Sequence, residues 1–438
     1  MRPTCNVYLW GTWVGAVSYP PGQSDVAVFE YNPDFLDSGI QIAPLTMPLR
    51  PGTFRFPELS AHTFKGLPGM LVDSLPDKFG TQLIDKYLAS LGRSPDAITA
   101  IDRLHYVGTR GMGALEYQPA EAFGTGTQVG GILDLAEITE LAHLTLARDG
   151  ALAKALRVAK TKQAAFDLIR IGTSAGGARA KAIVALDTED RLKVGHLDHG
   201  SDHTYWLLKF DGIRGNKDRD GADPPGATLV EYIYSEIAQR CGIQMPRCRL
   251  LEEAKHQHFL IERFDRVVSE GKLRKLHYTS WCGMSHAHRD RTDAFSYEQL
   301  VLVMRQLGLP QVQITELFRR AVFNVVGRNQ DDHTKNFGFL MNREGEWSLS
   351  PAFDMTYSYD PAGKWTRGHQ ISLNGKTDLF TREDLLQFGK SCSVSSREAS
   401  RIIEATLDAF QEFGKLAARF GLSDALKRTI QTSLRLRL

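Results

Sequence analysis

Residues 329–338 constrain the fold of this chain more than any other segment. They read Asn-Gln-Asp-Asp-His-Thr-Lys-Asn-Phe-Gly and follow directly on residues 321–326, an apolar run with helical spacing. Charged and polar side chains are thus concentrated at the end of an apolar helix. Most isolated loops of this composition are solvated connectors between a helix and a strand, so a functional interpretation needs further support.

The spacing within this loop supplies that support. Asp331 and Asn336 stand five positions apart. The same spacing separates two residues of the protein-kinase catalytic loop, the aspartate that accepts the substrate hydroxyl proton and the asparagine that binds magnesium. Asp354, on a nearby predicted strand, offers a second carboxylate for a divalent metal. We therefore predict that Asp331 is the base and that Asn336 and Asp354 bind Mg²⁺.

A strand lysine and a helical glutamate are the other parts that phosphoryl transfer from ATP requires. Lys209 lies in the strand-like run 205–210, and Glu231 lies near the start of a helix predicted around 228–241. Each residue has a simpler explanation, because a lysine at a sheet edge can extend its ammonium to solvent and an acid in a first helical turn is favoured by the helix dipole. Their order along the chain favours the functional roles, in which Lys209 holds ATP phosphates and Glu231 fixes Lys209.

A loop of small residues, 172–178, precedes this lysine. It lies between residues 168–171, where a strand-like stretch begins, and the predicted strand 183–186. Its backbone can approach phosphate groups closely. It lacks the Gly-Lys-Ser/Thr ending of a Walker motif, and glycine-rich turns are often plain hairpin connections. The candidate ATP-binding residues in this loop are Ser174, Gly176 and Gly177.

Periodicity along the chain predicts an α+β protein in three parts. Residues from about 5 to 120 are rich in Gly and Pro with short apolar runs, which predicts a small β-rich domain over 1–130. Residues 131–265 begin with a helical connector and continue with strands around one helix. Residues 266–438 are mainly helical. The clearest helices of this last part are predicted at 297–307, 312–326 and 395–419, with a final helix capped by Ser423.

Charge, cysteines and hydropathy exclude several classes of protein. Basic and acidic side chains nearly cancel, 53 against 51, so there is no overall positive field to hold nucleic acid or an anionic membrane. Five scattered cysteines without CxxC spacing predict reduced thiols rather than a zinc site. No apolar run reaches the roughly 18 residues of a membrane helix, and the first residues lead into a strand rather than a signal sequence. We expect a cytoplasmic protein.

Four blocks of the sequence, in order, resemble the signatures of HipA kinases. They are residues 172–179, 261–266, 331–336 and 351–354. Residues 66–70, 74–77 and 111–115 resemble the smaller domain that precedes the kinase core in that family, so the resemblance covers nearly the whole chain. It implies an N-terminal β-rich domain (1–130) and a bilobal core like that of protein kinases and PI3/4-kinases. In that core 131–265 would form the ATP-covering lobe and 266–438 the mainly helical C-terminal lobe.

The resemblance also implies roles for individual residues. The backbone of Glu262 and Phe264 would form the hinge that receives adenine, His333 would order the catalytic loop, and Lys335 would contact ATP. Ser174 matches the serine that HipA-like kinases autophosphorylate, a change that adds a charge of about −2 and can silence the enzyme. Two departures from the family pattern are Asp332, where a smaller residue is frequent, and the loop sequence Ser-Ala-Gly-Gly in place of Ser-Ile-Ala-Gly.

Partners follow from the resemblance alone. It implies a HipB-like helix-turn-helix antitoxin, a protein substrate such as an aminoacyl-tRNA synthetase, and contact with DNA only through the antitoxin. The cofactors would be ATP and Mg²⁺. No residue of this chain identifies the target or the antitoxin by itself.

Three alternatives remain open at this point. The first is a catalytically silent corepressor held by a DNA-binding antitoxin, and the second is a small-molecule or lipid kinase on a related fold. The third is a metallohydrolase, because imidazole is a common metal ligand. Its candidate ligands are His196, His199 and His203, in a segment that reads as a solvated hairpin, or His286 and His288, and neither group has HExxH spacing.

Overall fold

The computed structural model describes residues 3–22, 25–121, 131–147, 151–172, 180–212, 225–254, 256–289, 291 and 294–438. All statements about the structure concern these residues. The five cysteines lie among them and are all free thiols, as their scattered positions predicted. No helix in the described ranges is both long and apolar enough to cross a membrane.

The N-terminal part is built on an antiparallel five-stranded sheet with the strand order β4-β3-β2-β1-β5. Alternate residues of the first strand, Cys5, Val7 and Leu9, are buried, as expected of a strand with one face on a core. The elements are β1 Thr4–Leu9, β2 Thr12–Ser18, β3 Val28–Tyr31, α1 Pro33–Leu36, β4 Thr53–Phe54, α2 Ala61–Phe64, α3 Gly69–Val72, α4 Lys78–Ser90, a 3₁₀ turn Pro95–Ala97, α5 Ala100–Val107 and β5 Leu115–Gln118.

A second five-stranded sheet follows three helices. Its order is β7-β6-β8-β10-β9, and the pairings that the structure records are antiparallel. Helix α8 includes residues 168–171, so the strand-like interpretation of that stretch is wrong. The elements are α6 Leu135–Ala147, α7 Ala151–Arg157, α8 Ala159–Gly172, β6 Lys181–Leu186, β7 Leu192–Val194, β8 Thr204–Lys209, α9 Ala227–Arg240, β9 Cys248–Glu253 and β10 His256–Glu262.

Helix α4 connects the N-terminal part to this second sheet. Its apolar residues, among them Phe79, Leu83 and Leu88, belong to one buried cluster with residues of α8, β6 and β8. Although α4 precedes residue 130 in the chain, it helps to cover the sheet that carries Lys209. The domain boundaries at 130 and 265 stay a prediction.

The C-terminal part is mainly helical. Residues 395–419 form two helices with a break at Glu412, not the single predicted helix, and the Ser423 hydroxyl caps the last helix by accepting from the N–H of Leu426. The elements are β11 Arg266–Ser269, β12 Lys272–Lys275, β13 His277–Ser280, α10 Trp281–Ser285, α11 Tyr297–Gln306, α12 Gln311–Val326, β14 Gly338–Met341, β15 Trp347–Leu349, α13 Arg382–Ser391, α14 Ser396–Gln411, α15 Phe413–Arg419 and α16 Asp424–Ser433. The α+β fold with a helical C-terminal half is confirmed.

A buried ion cluster joins the N-terminal part to the segment that follows β10. Asp265 accepts from the guanidinium groups of Arg263, at 2.7 Å, and Arg266, at 2.8 Å, and all three side chains are buried. The backbone N–H of Gly113 donates to the same carboxylate at 2.6 Å. Both arginines also donate to the carbonyl oxygen of Gly111. The strand end that carries the predicted hinge is therefore fixed to the N-terminal part by charge-assisted hydrogen bonds.

Candidate functional site

Three charged side chains from separate elements meet at the end of β8. The Lys209 ammonium donates to Glu231 of α9 at 2.5 Å, and it also contacts the carboxylate of Asp354, which follows β15. Lys209 and Glu231 are 4% and 2% exposed. Strand β8 is the middle strand of its sheet, so the interpretation of Lys209 as an edge lysine reaching solvent is wrong. A buried ammonium requires such partners, because its desolvation alone is unfavourable.

The catalytic-loop candidate begins where α12 ends at Val326. Asn336 is hydrogen-bonded twice to the preceding part of the loop. Its side-chain nitrogen donates to the backbone oxygen of Asp331 at 2.7 Å, and its backbone N–H donates to the backbone oxygen of His333 at 2.9 Å. With the amide nitrogen engaged in this way, the amide oxygen of Asn336 is available as a ligand.

Asn336 and Asp354 line one cleft together with Asn324, Asn329 and Asp332. The side-chain oxygen of Asn329 is buried there without a hydrogen-bond partner among the described residues. Amide and carboxylate oxygens are the hard ligands that Mg²⁺ prefers. The residues present therefore fit a magnesium ion, which Asn336 and Asp354 would hold. Asp354 has a left-handed backbone, with φ of 52°, a conformation that non-glycine residues adopt mainly where the surrounding structure imposes it.

His333 lies beside the candidate base, Asp331. Its Nδ1 accepts from the backbone N–H of Lys335 at 3.3 Å, so the ring hydrogen lies on Nε2, which is 4.0 Å from Oδ1 of Asp331. Burial lowers the pKa of His333, although Asp331 opposes this effect. His333 thus contacts the loop residues two positions before and after it, and Lys335 is half-buried.

The predicted hinge lies at the end of β10. The Glu262 carboxylate is held by Arg247 through two hydrogen bonds of 2.6 and 2.7 Å, and the predicted hinge role concerns its backbone alone. The Phe264 ring packs against Tyr278 and Phe353 with centroid distances of 5.8 and 5.7 Å. Phe353 immediately precedes Asp354, so the predicted hinge packs against the segment that carries the metal-binding candidate.

Lys181 is a site residue that the sequence interpretation missed. It begins β6, is 3% exposed, and its Nζ is 3.7 Å from Oδ2 of Asp77, the N-cap of α4. Burial raises the pKa of Asp77 to about 7 and lowers the pKa of Lys181. The charges of Asp77, Asp354 and Glu231 act in the opposite direction on the pKa of Lys181. A lysine at the head of an apolar strand was visible in the sequence, but its partner, about a hundred positions upstream, was not.

The buried environment of Asp332, which residues 369–370 help to form, was not predicted either. The Asp332 carboxylate accepts from the Tyr297 hydroxyl at 2.8 Å, from Nδ1 of His369 at 2.6 Å and from the backbone N–H of Gln370 at 2.9 Å. Arg435 donates to Nε2 of His369, which places the ring hydrogen on Nδ1. The departure from the family pattern at Asp332 is therefore accommodated by three donors from two segments of the chain.

The candidate histidines of the metallohydrolase alternative do not form a three-ligand group, although the rings of His199 and His203 stack at 5.0 Å. No group of three or more potential ligands that could hold a metal occurs in the described part of the chain. His196 is half-buried rather than solvated, and burial lowers its pKa to about 3. Nε2 of His286 accepts from the N–H of Gly69 at 3.1 Å and so links α10 to α3.

Three predicted ATP-binding residues, Ser174, Gly176 and Gly177, lie outside the described residues.

Comparisons with known protein families agree over both halves of the chain. Residues 5–118 match the profile described as the HipA N-terminal domain, and residues 173–413 match the HipA-like C-terminal domain. The second match alone covers more than half of the chain.

Individual relatives are distant. Y4dM of Sinorhizobium fredii, whose name marks it as a kinase candidate, is 23% identical over 238 residues, covering 47% of this chain and 56% of that protein. The serine/threonine-protein kinase toxin HipA of Shewanella oneidensis is 21% identical over 144 residues, covering 29% of this chain and 33% of that protein. The chain thus aligns with about half or less of the length of these curated relatives.

The fold has a solved counterpart. HipA of Shewanella oneidensis MR-1, in a complex with HipB and operator DNA, superposes with a TM-score of 0.64 and 16% identity, covering 98% of this chain and 94% of that chain. At this identity the likeness shows the fold alone.

Proposed function

The chain belongs to the HipA family, and on that premise we propose that it is a toxin kinase that transfers the γ-phosphoryl group of ATP to a serine or threonine hydroxyl of another protein. The observation that carries this proposal is the contact of Lys209 with both Glu231 and Asp354. In protein kinases a strand lysine, a helical glutamate and a metal-binding aspartate must all be in place for transfer.

Asp331 is the proposed base. Its side chain is 42% exposed, so a substrate hydroxyl can reach it, while its neighbours in the loop are held by backbone hydrogen bonds. The hydroxyl oxygen forms a bond to the γ-phosphorus as the bond from that phosphorus to the ADP oxygen breaks, and the hydroxyl proton passes to the Asp331 carboxylate. Lys209 neutralises phosphate charge.

Mg²⁺ held by Asn336 and Asp354 would supply charge neutralisation on the phosphate oxygens. Glu262 and Phe264 would receive adenine through their backbone, and Ser174, Gly176, Gly177 and Lys335 would complete the nucleotide site. His333 stabilises the conformation of the catalytic loop through its contacts with Lys335 and Asp331. These roles rest on the family resemblance and on the positions of the described residues.

Regulation and partners belong to the same proposal. Ser174 is the proposed autophosphorylation site, because it matches the serine modified in HipA-like kinases. The related HipA was solved with HipB and operator DNA. We therefore propose a HipB-like helix-turn-helix antitoxin as the partner and contact with DNA through that partner. An aminoacyl-tRNA synthetase is the proposed class of target, by resemblance only, and the cytoplasm is the proposed location.

The test combines nucleotide binding with turnover. Calorimetry with ATP is run with Mg²⁺ and with a chelator, and ADP formation is followed for wild type, Asp331→Asn and Asp408→Asn. Asp408 is an exposed aspartate on α14 and serves as the matched control. We expect Mg²⁺-dependent binding in all three proteins and turnover in wild type and Asp408→Asn. The absence of both binding and turnover would refute the proposal and favour the silent corepressor.

A further inference from the structure

The base candidate has a partner that no motif indicates. The side-chain nitrogen of Gln370 donates to Oδ1 of Asp331 at 2.5 Å, across 39 positions of sequence. The direction of this bond follows from chemistry, since a carboxylate accepts only and the amide nitrogen is the donor end of glutamine. Gln370 is 6% exposed, whereas the Asp331 side chain is 42% exposed.

Gln370 is held in a fixed segment. Its backbone N–H donates to Oδ1 of Asp332 at 2.9 Å, and the preceding His369 donates from its own N–H to the backbone oxygen of Thr377 at 2.8 Å. Two residues further on, Ser372 exchanges backbone hydrogen bonds of 2.9 Å with the start of α11, through Phe295 and Tyr297. The backbone that carries the Gln370 side chain is thus fixed by hydrogen bonds on both sides of this residue.

The contact distinguishes the two oxygens of Asp331. Gln370 donates to Oδ1, and Nε2 of His333, at 4.0 Å, also faces Oδ1. Among the described residues no donor is hydrogen-bonded to Oδ2. One oxygen is therefore held by the protein and the other is left for an incoming group.

The half-exposed Asp331 carboxylate does not need the buried Gln370 amide in order to be solvated. Water can satisfy Asp331 at this exposure, so the contribution of Gln370 lies in direction rather than in compensating a desolvated charge. A carboxylate that turns freely presents either oxygen, and the correct alignment of reacting groups accounts for much of the rate in phosphoryl transfer.

We propose that Gln370 is a positioning residue that fixes the rotation of the Asp331 carboxylate, so that Oδ2 faces the attacking hydroxyl. This inference rests on the proposed kinase function. Gln370 would act through its contact with Asp331, so its removal should affect turnover and not nucleotide binding.

The experiment measures kcat for ADP formation, with water or the protein's own hydroxyl groups as the phosphoryl acceptor, and the dissociation constant of Mg-ATP. Both are compared for wild type, Gln370→Met and Gln370→Glu. Methionine keeps the length and burial but loses the donor, and glutamate replaces the donor with a like charge beside Asp331. Gln387→Met is the matched control, because Gln387 is exposed on α13. We expect Gln370→Met to lower kcat by roughly 10- to 100-fold, the range for misplaced catalytic groups, with the dissociation constant unchanged. Gln370→Glu should be slower still.

A thermal double-mutant cycle of Asp331→Ala and Gln370→Met tests the contact without any activity. The two changes in melting temperature should be non-additive by about 1 °C or more if the residues interact. An active wild type with unchanged kcat in Gln370→Met would overturn this inference and leave the proposed function standing. An inactive wild type would refute the proposed function, and additive changes in the cycle would then overturn the positioning contact separately.

Discussion

Lys181 of β6 lies directly opposite Lys209 of β8 in the antiparallel ladder, and both side chains are almost fully buried. Directly opposed residues project from the same face of a sheet, so two ammonium groups share one region of the site. Their carboxylate partners come from different parts of the chain, Asp77 for Lys181 and Glu231 and Asp354 for Lys209. Two ammonium groups held in place by three carboxylates offer directed, charge-assisted donors that would suit the phosphates of a nucleotide.

Lys181→Met should therefore weaken Mg-ATP binding. The loss of one charge-assisted hydrogen bond corresponds to roughly a 10- to 100-fold rise in the dissociation constant. Calorimetry measures it, with Lys272→Met as the control, since Lys272 is an exposed lysine on β12. An unchanged affinity in Lys181→Met would show that this lysine has a structural role alone.

Lys209→Met should abolish turnover and also destabilise the protein. Its loss leaves the buried Glu231 carboxylate without this partner, which typically costs about 3–5 kcal/mol of folding free energy. Adding Glu231→Gln removes the buried charge, so the double variant should regain part of the melting temperature and stay inactive. Equal melting temperatures for the single variant and wild type would contradict the ion pairing described above.

The Asp265 cluster should make stability depend on pH. Burial alone would raise the pKa of Asp265, but Arg263, Arg266 and the N–H of Gly113 hold it below its usual range. A carboxyl with a lowered folded-state pKa stabilises the protein above its unfolded pKa of about 4, and this contribution is lost as pH falls further. Asp265→Asn should lower the melting temperature at pH 7, and its difference from wild type should shrink below about pH 4. Asp202→Asn, at an exposed position, should show no such trend.

Gly113→Ala should weaken the packing between the N-terminal part and the segment that carries Asp265 and Tyr278. Gly113 has φ of 76°, and an added Cβ would lie 2.8 Å from the backbone nitrogen of Tyr278. Gly11→Ala is the control, because Gly11 has φ of 85° but no atom within 4 Å of the added carbon. Both variants carry the strain of a left-handed alanine, about 1 kcal/mol, and only Gly113→Ala adds the clash. Limited proteolysis should cut Gly113→Ala faster than Gly11→Ala. Equal rates for the two variants would argue against close packing of Gly113 on Tyr278.

Local patterns predicted the fold class and the order of the site residues. The apolar spacing of 321–326 and the polar run after it place Asp331 and Asn336 at the end of α12, and the structure has this arrangement. The environment of Lys209 was not predictable, because a strand pattern does not indicate whether the strand lies at the edge or in the middle of a sheet. Its burial beside Glu231 depends on the pairing of β8 with both β6 and β10.

The missed residues share one property, which is that their partners are remote in sequence. Asp77 meets Lys181 only because α4 packs on the second sheet, and Gln370 meets Asp331 only because the chain returns from β15 past the catalytic loop. Such contacts carry no local signal in hydropathy or motif. The same applies to Asp332, which looks exposed in a polar run yet is 1% exposed among Tyr297, His369 and Gln370.

Phosphopeptide mapping by mass spectrometry, after incubation of wild-type and Asp331→Asn protein with Mg-ATP, tests the central claim most directly because it needs no knowledge of the target. The account predicts one added phosphate in the wild type, at or beside Ser174, and none in Asp331→Asn. Equal phosphorylation of both proteins would contradict the assignment of Asp331 as the base. No phosphate on either protein, together with no ATP binding, would contradict the kinase function itself.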